Sequence, residues 1–197
     1  MNLLQAPLTV LTTPRLTLRH WQDEDLRPFA TQNADPAVME LMPRCLSRAE
    51  SDAFARSAQR GIEARGWGLW AVEAHADGQF IGYVGLAVPS FSEHFTPCVE
   101  IGWRLRRASW GHGYATEAAR ECLRFAFETL GLPEVVAFTV PANVRSRAVM
   151  ERLGMAHDPR DDFDHPRLPH GHALRRHVLY RLRRTAVMAP QPGTEIV

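Results

Sequence analysis

Residues 99–120, VEIGWRLRRASWGHGYATEAAR, limit the fold of this chain more than any other stretch. The segment begins with a period of two. Val99, Ile101, Trp103 and Leu105 fall on one face of an extended strand, and Glu100, Gly102 and Arg104 on the other. From Tyr114 the period changes: Ala115, Ala118, Cys122, Ala126 and Leu130 recur every three or four residues, as on the buried face of a helix. Between the two regimes lie Gly111 and Gly113. A strand, a glycine turn and a helix N-terminus in succession present unpaired N–H groups and the positive end of a helix dipole. That arrangement suits an anion such as a pyrophosphate.

Neither common nucleotide signature is complete. A P-loop needs Gly-Lys-Ser/Thr, and here Gly113 is followed by Tyr114; the dinucleotide fingerprint needs a third glycine where Thr116 stands. The chain contains no lysine, which removes Schiff-base chemistry and the phosphate-loop lysine together. The anion is therefore expected to be a carried group and not the reacting one.

The flanking sequence supplies the rest of a mixed α/β fold. RLTLRH (15–20) alternates as a strand, and Asp23 is placed to cap a helix carrying Leu26, Phe29 and Ala30. Ser47 and Glu50 form a capping box for a helix that Gly66 ends. Strands follow over 67–73 and 79–88, joined through Asp77-Gly78; a loop covers 89–97 and a third strand 98–105. Gly131 and Pro133 stop the helix begun at Tyr114. A strand over 134–140, a helix over 143–154 and a strand over 174–182 complete the series. The expectation is one domain over 1–184, a mixed, mostly antiparallel sheet of about seven strands flanked by helices, and a flexible tail over 185–197.

Charge narrows the function. With 23 basic against 22 acidic residues, the chain lacks the basic excess of a general nucleic-acid binder. Cys45, Cys98 and Cys122 are odd in number, widely spaced and without metal-ligand spacing, as expected of reduced thiols. No apolar run is long enough to cross a bilayer, and no basic leader precedes the first apolar residues; a cytoplasmic protein is expected.

The motifs VEIGWRLRRASWGHGYATEAA and FTVPANVRSRAVMERLGM together resemble the acyl-CoA site of the GNAT superfamily of N-acetyltransferases, and among its branches the RimJ/RimL type. The element order over about 15–182 agrees with that fold. The resemblance implies acetyl-CoA as co-substrate, a primary amine as acceptor (a protein N-terminus or a small amine) and no metal. It implies that the backbone of Trp110, Gly111, His112, Gly113, Tyr114 and Ala115 holds the pyrophosphate. The backbone of Trp103, Arg104 and Leu105 would pair with the pantetheine arm, and Asn143 would bond it from the other side. Two departures stand out. Ala108 replaces a usual Gln/Arg in the turn, and Met150 stands where many relatives carry a tyrosine that protonates the leaving thiolate, so that mechanism is excluded.

Acetyl transfer to an amine needs a base, a polarised carbonyl and a leaving thiolate. Glu100, a carboxylate inside an otherwise apolar strand, reads from its position either as that base or as the partner of an arginine. The resemblance implies the base, acting through water. It also implies that Ser146 donates a proton to the thiolate; a serine in a first helical turn is ordinary otherwise. Arg106 and Arg107 could meet CoA phosphates or be a solvated strand end. The His- and Asp-rich stretch 157–172 matches no standard zinc spacing; Asp161, Asp162 and Asp164 could instead form an acidic rim that attracts a cationic amine. Phe91 and Phe95 fit either a homodimer contact or a substrate wall. A non-catalytic acyl-CoA-binding module is the rival reading.

Overall fold

The computed structural model describes residues 9–184; the tail expected over 185–197 lies outside them. The chain folds as β1 (Leu11–Thr12), β2 (Leu16–Arg19), α1 (Asp23–Ala34), α2 (Pro36–Met39), α3 (Arg48–Arg65), β3 (Leu69–Ala74), β4 (Gln79–Ala87), β5 (Glu100–Leu105), α4 (Tyr114–Arg124), β6 (Glu134–Thr139), α5 (Val144–Arg152), β7 (Ala156–His157), β8 (Phe163–Asp164) and β9 (Arg176–Arg183). The sheet has nine strands in the order β1-β2-β3-β4-β5-β6-β9-β7, with β8 on β9. The expected number was about seven. The six strands predicted by residue range correspond to β2, β3, β4, β5, β6 and β9; β1, β7 and β8, two residues each, are too short to carry an alternation signal.

Local chemistry accounts for most boundaries. Ser47 accepts from the Glu50 N–H, the Glu50 carboxylate accepts from the Ser47 N–H, and Gly66 closes α3 at φ 78°. At α1 the cap is Gln22 and not Asp23. Asp25 accepts from the Gln22 N–H at 2.9 Å, and Arg19 grips the same carboxylate at 2.7 and 2.9 Å. The sequence could not show that partner, because it comes from β2. Beyond Arg124, α4 loosens into a π-turn over Phe125–Thr129 before Gly131.

Two apolar layers hold the sheet. On one face, α4 packs over β4 and β5 with Ala118, Cys122, Ala126, Ile101 and Leu105 buried together. On the other, α1 and α3 bring Phe29 and Phe54 against Tyr83 of β4 at ring separations of 6.1 and 5.2 Å. A second, smaller core joins Phe95, Val136, Phe163 and Leu179, with Phe91 and Phe138 packed on it. Phe91 and Phe95 are thus turned inward as backing for β6.

All neighbouring strands are antiparallel except β5 and β6. These two run parallel and share a single register pair, Glu100 with Val136, supported by a 3.0 Å bond from the Val136 N–H to the Val99 carbonyl. Beyond that point they part. Past Glu100 the rest of β5 has no partner on that side, and a cleft occupies the split.

Candidate active site

A cleft of about 1280 Å³ opens where β5 and β6 separate. It reaches from the glycine turn and α4 on one face of the sheet to α2 and the segment after it on the other. Its walls include Trp103, Gly111, Tyr114, Asn143 and Ser146 on the first side, and Val38, Leu41, Met42, Glu100 and Arg104 on the second.

The register of β5 against β4 decides which backbone groups face the split. The Arg106 N–H donates to Ile81, and hydrogen-bonded pairs alternate along an antiparallel ladder, so residues 100, 102 and 104 direct their backbone toward β4. Trp103 and Leu105 direct theirs into the cleft. The expectation for Arg104 is therefore corrected: its carbonyl lies over Gly82 and accepts from Gln32 Nε2 at 2.9 Å, leaving no backbone group for a pantetheine arm. At Leu105 the carbonyl is taken by Trp110 Nε1 at 2.9 Å, which leaves the N–H.

The glycine turn is built to expose amides. Gly111 and Gly113 have φ of 80° and 79°, a region that costs an L side chain about 1–2 kcal/mol. Among the described residues the N–H groups of Gly111, His112, Gly113 and Tyr114 make no hydrogen bond. That of Trp110 does: it closes a 3₁₀ turn onto Arg107 at 3.1 Å, so Trp110 lends the turn its indole ring and not its amide. The His112 side chain is outside the cleft, stacked beside Tyr114.

A residue that pattern reading missed secures this turn. Arg15, ahead of β2, donates to the His112 carbonyl at 3.0 Å, pairs with Glu117 Oε2 at 2.6 Å and lies 4.7 Å over the Tyr114 ring. A lone arginine about a hundred positions away leaves no periodic trace. Arg106 and Arg107 line no part of the cleft, and Arg106 is held instead by Gln79 and Ser109. The cations that do line it are Arg15, Arg120, Arg145 and Arg152, with Arg104 at the other end. Arg145 lies 4.5 Å over the Trp110 ring and bridges to Glu40 at 3.1 Å, joining α5 to the segment after α2 across the mouth.

Asn143 caps α5. Its amide oxygen accepts from the Ser146 N–H at 3.2 Å and its Nδ2 donates to Thr139 at 2.9 Å, leaving one amide hydrogen for the cleft. The Ser146 hydroxyl accepts from Trp103 Nε1 at 3.2 Å, which leaves its own proton free to be given. Met150 is buried behind them.

Glu100 sits on the opposite side of the split. Among the described residues its carboxylate makes no hydrogen bond and no ion pair, although 17 salt bridges hold carboxylates elsewhere. The arginine partner allowed by the sequence is absent. The residue as a whole is half-buried, but its carboxyl lies deep enough that burial alone pushes it up to about 8. Such a group exchanges a proton near neutral pH. The rim expected from Asp161, Asp162 and Asp164 is not assembled at the cleft, because each carboxylate is engaged elsewhere, two by arginines and one by a histidine hydrogen bond. Asp161 pairs with Arg181 at 2.6 Å, Asp162 bonds His157 at 2.7 Å, and Asp164 pairs with Arg175 at 3.2 Å. None of the three lines the cleft. Among the described residues no three His, Cys, Asp or Glu side chains are placed to hold a metal ion, and no helix is long and apolar enough to cross a membrane.

The model of the acetyltransferase (GNAT) domain matches residues 15–156, from β2 through the glycine turn to β7. The chain belongs to the GNAT acetyltransferase family. As an N-acetyltransferase of that family it is 43% identical over 154 residues to the FsC-acetyl coenzyme A-N(2)-transacetylase of Aspergillus fumigatus, a match covering 75% of this chain and 65% of that protein. The crystal structure of an acetyltransferase from Agrobacterium tumefaciens superposes with a TM-score of 0.73 at 28% identity, covering 93% of this chain and 99% of that one. RimL, the ribosomal L7/L12 alpha-N-protein acetyltransferase solved with coenzyme A, shares the fold at a TM-score of 0.70 and 13% identity, over 89% of this chain and 98% of its own.

Proposed function

We propose that this acetyltransferase transfers the acetyl group of acetyl-CoA to a primary amine by direct attack, with Glu100 as the base. The observation that carries the reading is the unpaired Glu100 carboxylate, set opposite the split in the sheet with its proton affinity raised into the neutral range. An ammonium must lose a proton before it attacks, and a carboxylate near 8 accepts one, directly or through a water.

The chain's own residues have separable roles. The amides of Gly111, His112, Gly113, Tyr114 and Ala115, at the positive end of α4, hold the pyrophosphate. Trp103 and Leu105 offer backbone groups to the pantetheine arm, and Asn143 offers its remaining amide hydrogen. The thioester supplies the acetyl group. Ser146, oriented by the Trp103 indole, passes a proton to the departing thiolate and takes one in turn from the attacking amine, directly or through water, filling the part for which Met150 has no hydroxyl.

Two acceptor classes come from the relatives' names: the N(2) amine of FsC, and the α-amine of a ribosomal protein. We favour an acceptor other than a protein N-terminus, since the relative named for an α-N-protein acceptor is 13% identical and the other 43%. The test is thiol release from acetyl-CoA with a panel of small amines and N-terminal peptides, using wild type and Glu100→Gln. Amine-dependent release that collapses in the variant supports the reading. Release that is unchanged in the variant rules out Glu100 as the base.

A further inference from the structure

On the acceptor side of the cleft lies a cation that no described residue neutralises. Arg104 is on the same face of β5 as Glu100, yet among the described residues no carboxylate pairs with it. Its Nη1 donates to the Asn33 amide oxygen at 2.9 Å, its Nη2 reaches only the Met42 sulfur at 3.5 Å, and its Nε is buried without a partner. The guanidinium lies 5.8 and 5.6 Å over the rings of Phe54 and Tyr83. A guanidinium carries a permanent charge, and withdrawing one from water without a counter-ion is unfavourable. The same chain supplies partners to Arg15, Arg19, Arg124 and Arg181.

A second donor stands beside it. Tyr83 is the direct cross-strand partner of Arg104, and it too lines the cleft. Its ring is buried, and its hydroxyl makes no hydrogen bond among the described residues. Between this pair and Glu100 the only position on the same face of β5 is Gly102. A Cβ there would meet nothing nearer than Glu100 Oε1 at 3.9 Å. A trough therefore runs along β5, open at its middle, with a proton acceptor at one end and two donors, one charged, at the other. Val38, Leu41 and Met42 wall it. Four residues of strand separate its ends by roughly 13 Å at the backbone.

We propose that the acceptor is an amine that also carries a carboxylate several bonds away, as in an ω-amino acid or a dipeptide, and that Arg104 and Tyr83 bind this carboxylate while the amine faces Glu100. The inference rests on the transferase reading for the position of the amine; the carboxylate site is defined by the trough. An adjacent amine and carboxylate, as in glycine, is too short to span it. A doubly bonded guanidinium–carboxylate contact fixes the acceptor's distance and direction as well as its charge.

The experiment has two independent readouts. Glycine, β-alanine, γ-aminobutyrate, 6-aminohexanoate and glycylglycine are compared with their carboxamides, first by calorimetric titration into the CoA-bound protein and then by thiol release. Wild type should favour the longer acids over the matching amides by roughly 10-fold or more, the range expected for hydrogen bonds to a charged group. Arg104→Gln should remove the preference by weakening the acids alone, and Gly102→Ala should weaken the same acids by obstructing the trough. The shift in thermal midpoint caused by CoA should persist in both variants. Equal binding of acids and amides by wild type overturns the proposal, even if a variant fails to fold. Equal loss for acids and amides in folded Arg104→Gln overturns it as well. Binding of the acids without acetylation would sustain the site and count against the transferase reading alone.

Discussion

Replacing Glu100 by Gln should stabilise the protein as pH rises while abolishing its chemistry. The sign follows from the direction of the shift. Burial raises the folded-state carboxyl from an ordinary 4.5 to about 8. Below pH 4.5 the group is neutral in folded and unfolded chains alike, and its titration contributes nothing. Between there and 8 the unfolded chain releases the proton and the folded chain keeps it, so folding stability declines as pH rises. Above 8 the deficit is complete. At 1.36 kcal/mol for each tenfold change in proton affinity the full effect is about 5 kcal/mol, and solvent reaching a half-buried side chain reduces it to about 3 kcal/mol. Glutamine has nearly the same shape and forfeits no hydrogen bond, since the carboxylate makes none among the described residues. Urea unfolding of both proteins at pH 5, 6, 7, 8 and 9, without ligand, should show their midpoints close at pH 5, then diverging in favour of Glu100→Gln up to pH 8, then parallel. In an ion-paired Glu100 the order would reverse, with the variant weaker at high pH. A difference independent of pH would refute the argument that burial sets the proton affinity of this group.

Other consequences concern the cofactor side. Gly113→Ala should cost about 1–2 kcal/mol of stability through its φ of 79°, and should weaken CoA binding by tilting the exposed amides, read by calorimetry. Arg15→Ala removes the grip on Glu117 and the His112 carbonyl; since Arg15 is half-exposed, we expect KM for acetyl-CoA to rise roughly three- to tenfold with kcat little changed. Trp103→Phe and Ser146→Ala should each lower kcat by about tenfold or less, because a thiolate near pKa 8.5 leaves with little assistance. Their effects should be less than additive, since the indole acts through the serine. The triple change of Asp161, Asp162 and Asp164 to Asn should leave KM for the amine unaltered and lower the unfolding temperature, because those carboxylates are committed to Arg181, His157 and Arg175.

The local order of the chain is legible in its sequence. Period two in 99–105, period three to four from Tyr114, and the glycines between them identified the strand, the turn and the helix, because each depends on backbone geometry that neighbouring residues alone impose. Ser47, Glu50 and Gly66 did the same for α3. Glu100 stands out in the sequence as one carboxylate among apolar neighbours.

Tertiary structure decided what each group has left to give. The split between β5 and β6 arises from one parallel pair with one register contact, a long-range pairing invisible to periodicity. The register against β4 turned the Arg104 backbone away from the cleft, and a 3₁₀ turn consumed the Trp110 amide. Whether Glu100 meets an arginine, whether Asp161 remains a free charge, and whether Arg104 lacks a carboxylate are all matters of distance across the fold. Hydrogen bonds and ion pairs act only within a few ångströms, and residues that close in space, such as Arg15 and Glu117 or Arg104 and Asn33, are far apart along the chain. The sequence determined which chemical groups this protein possesses and the local shape of the segments that carry them; the fold alone determined which of those groups remain unsatisfied, and therefore which can act.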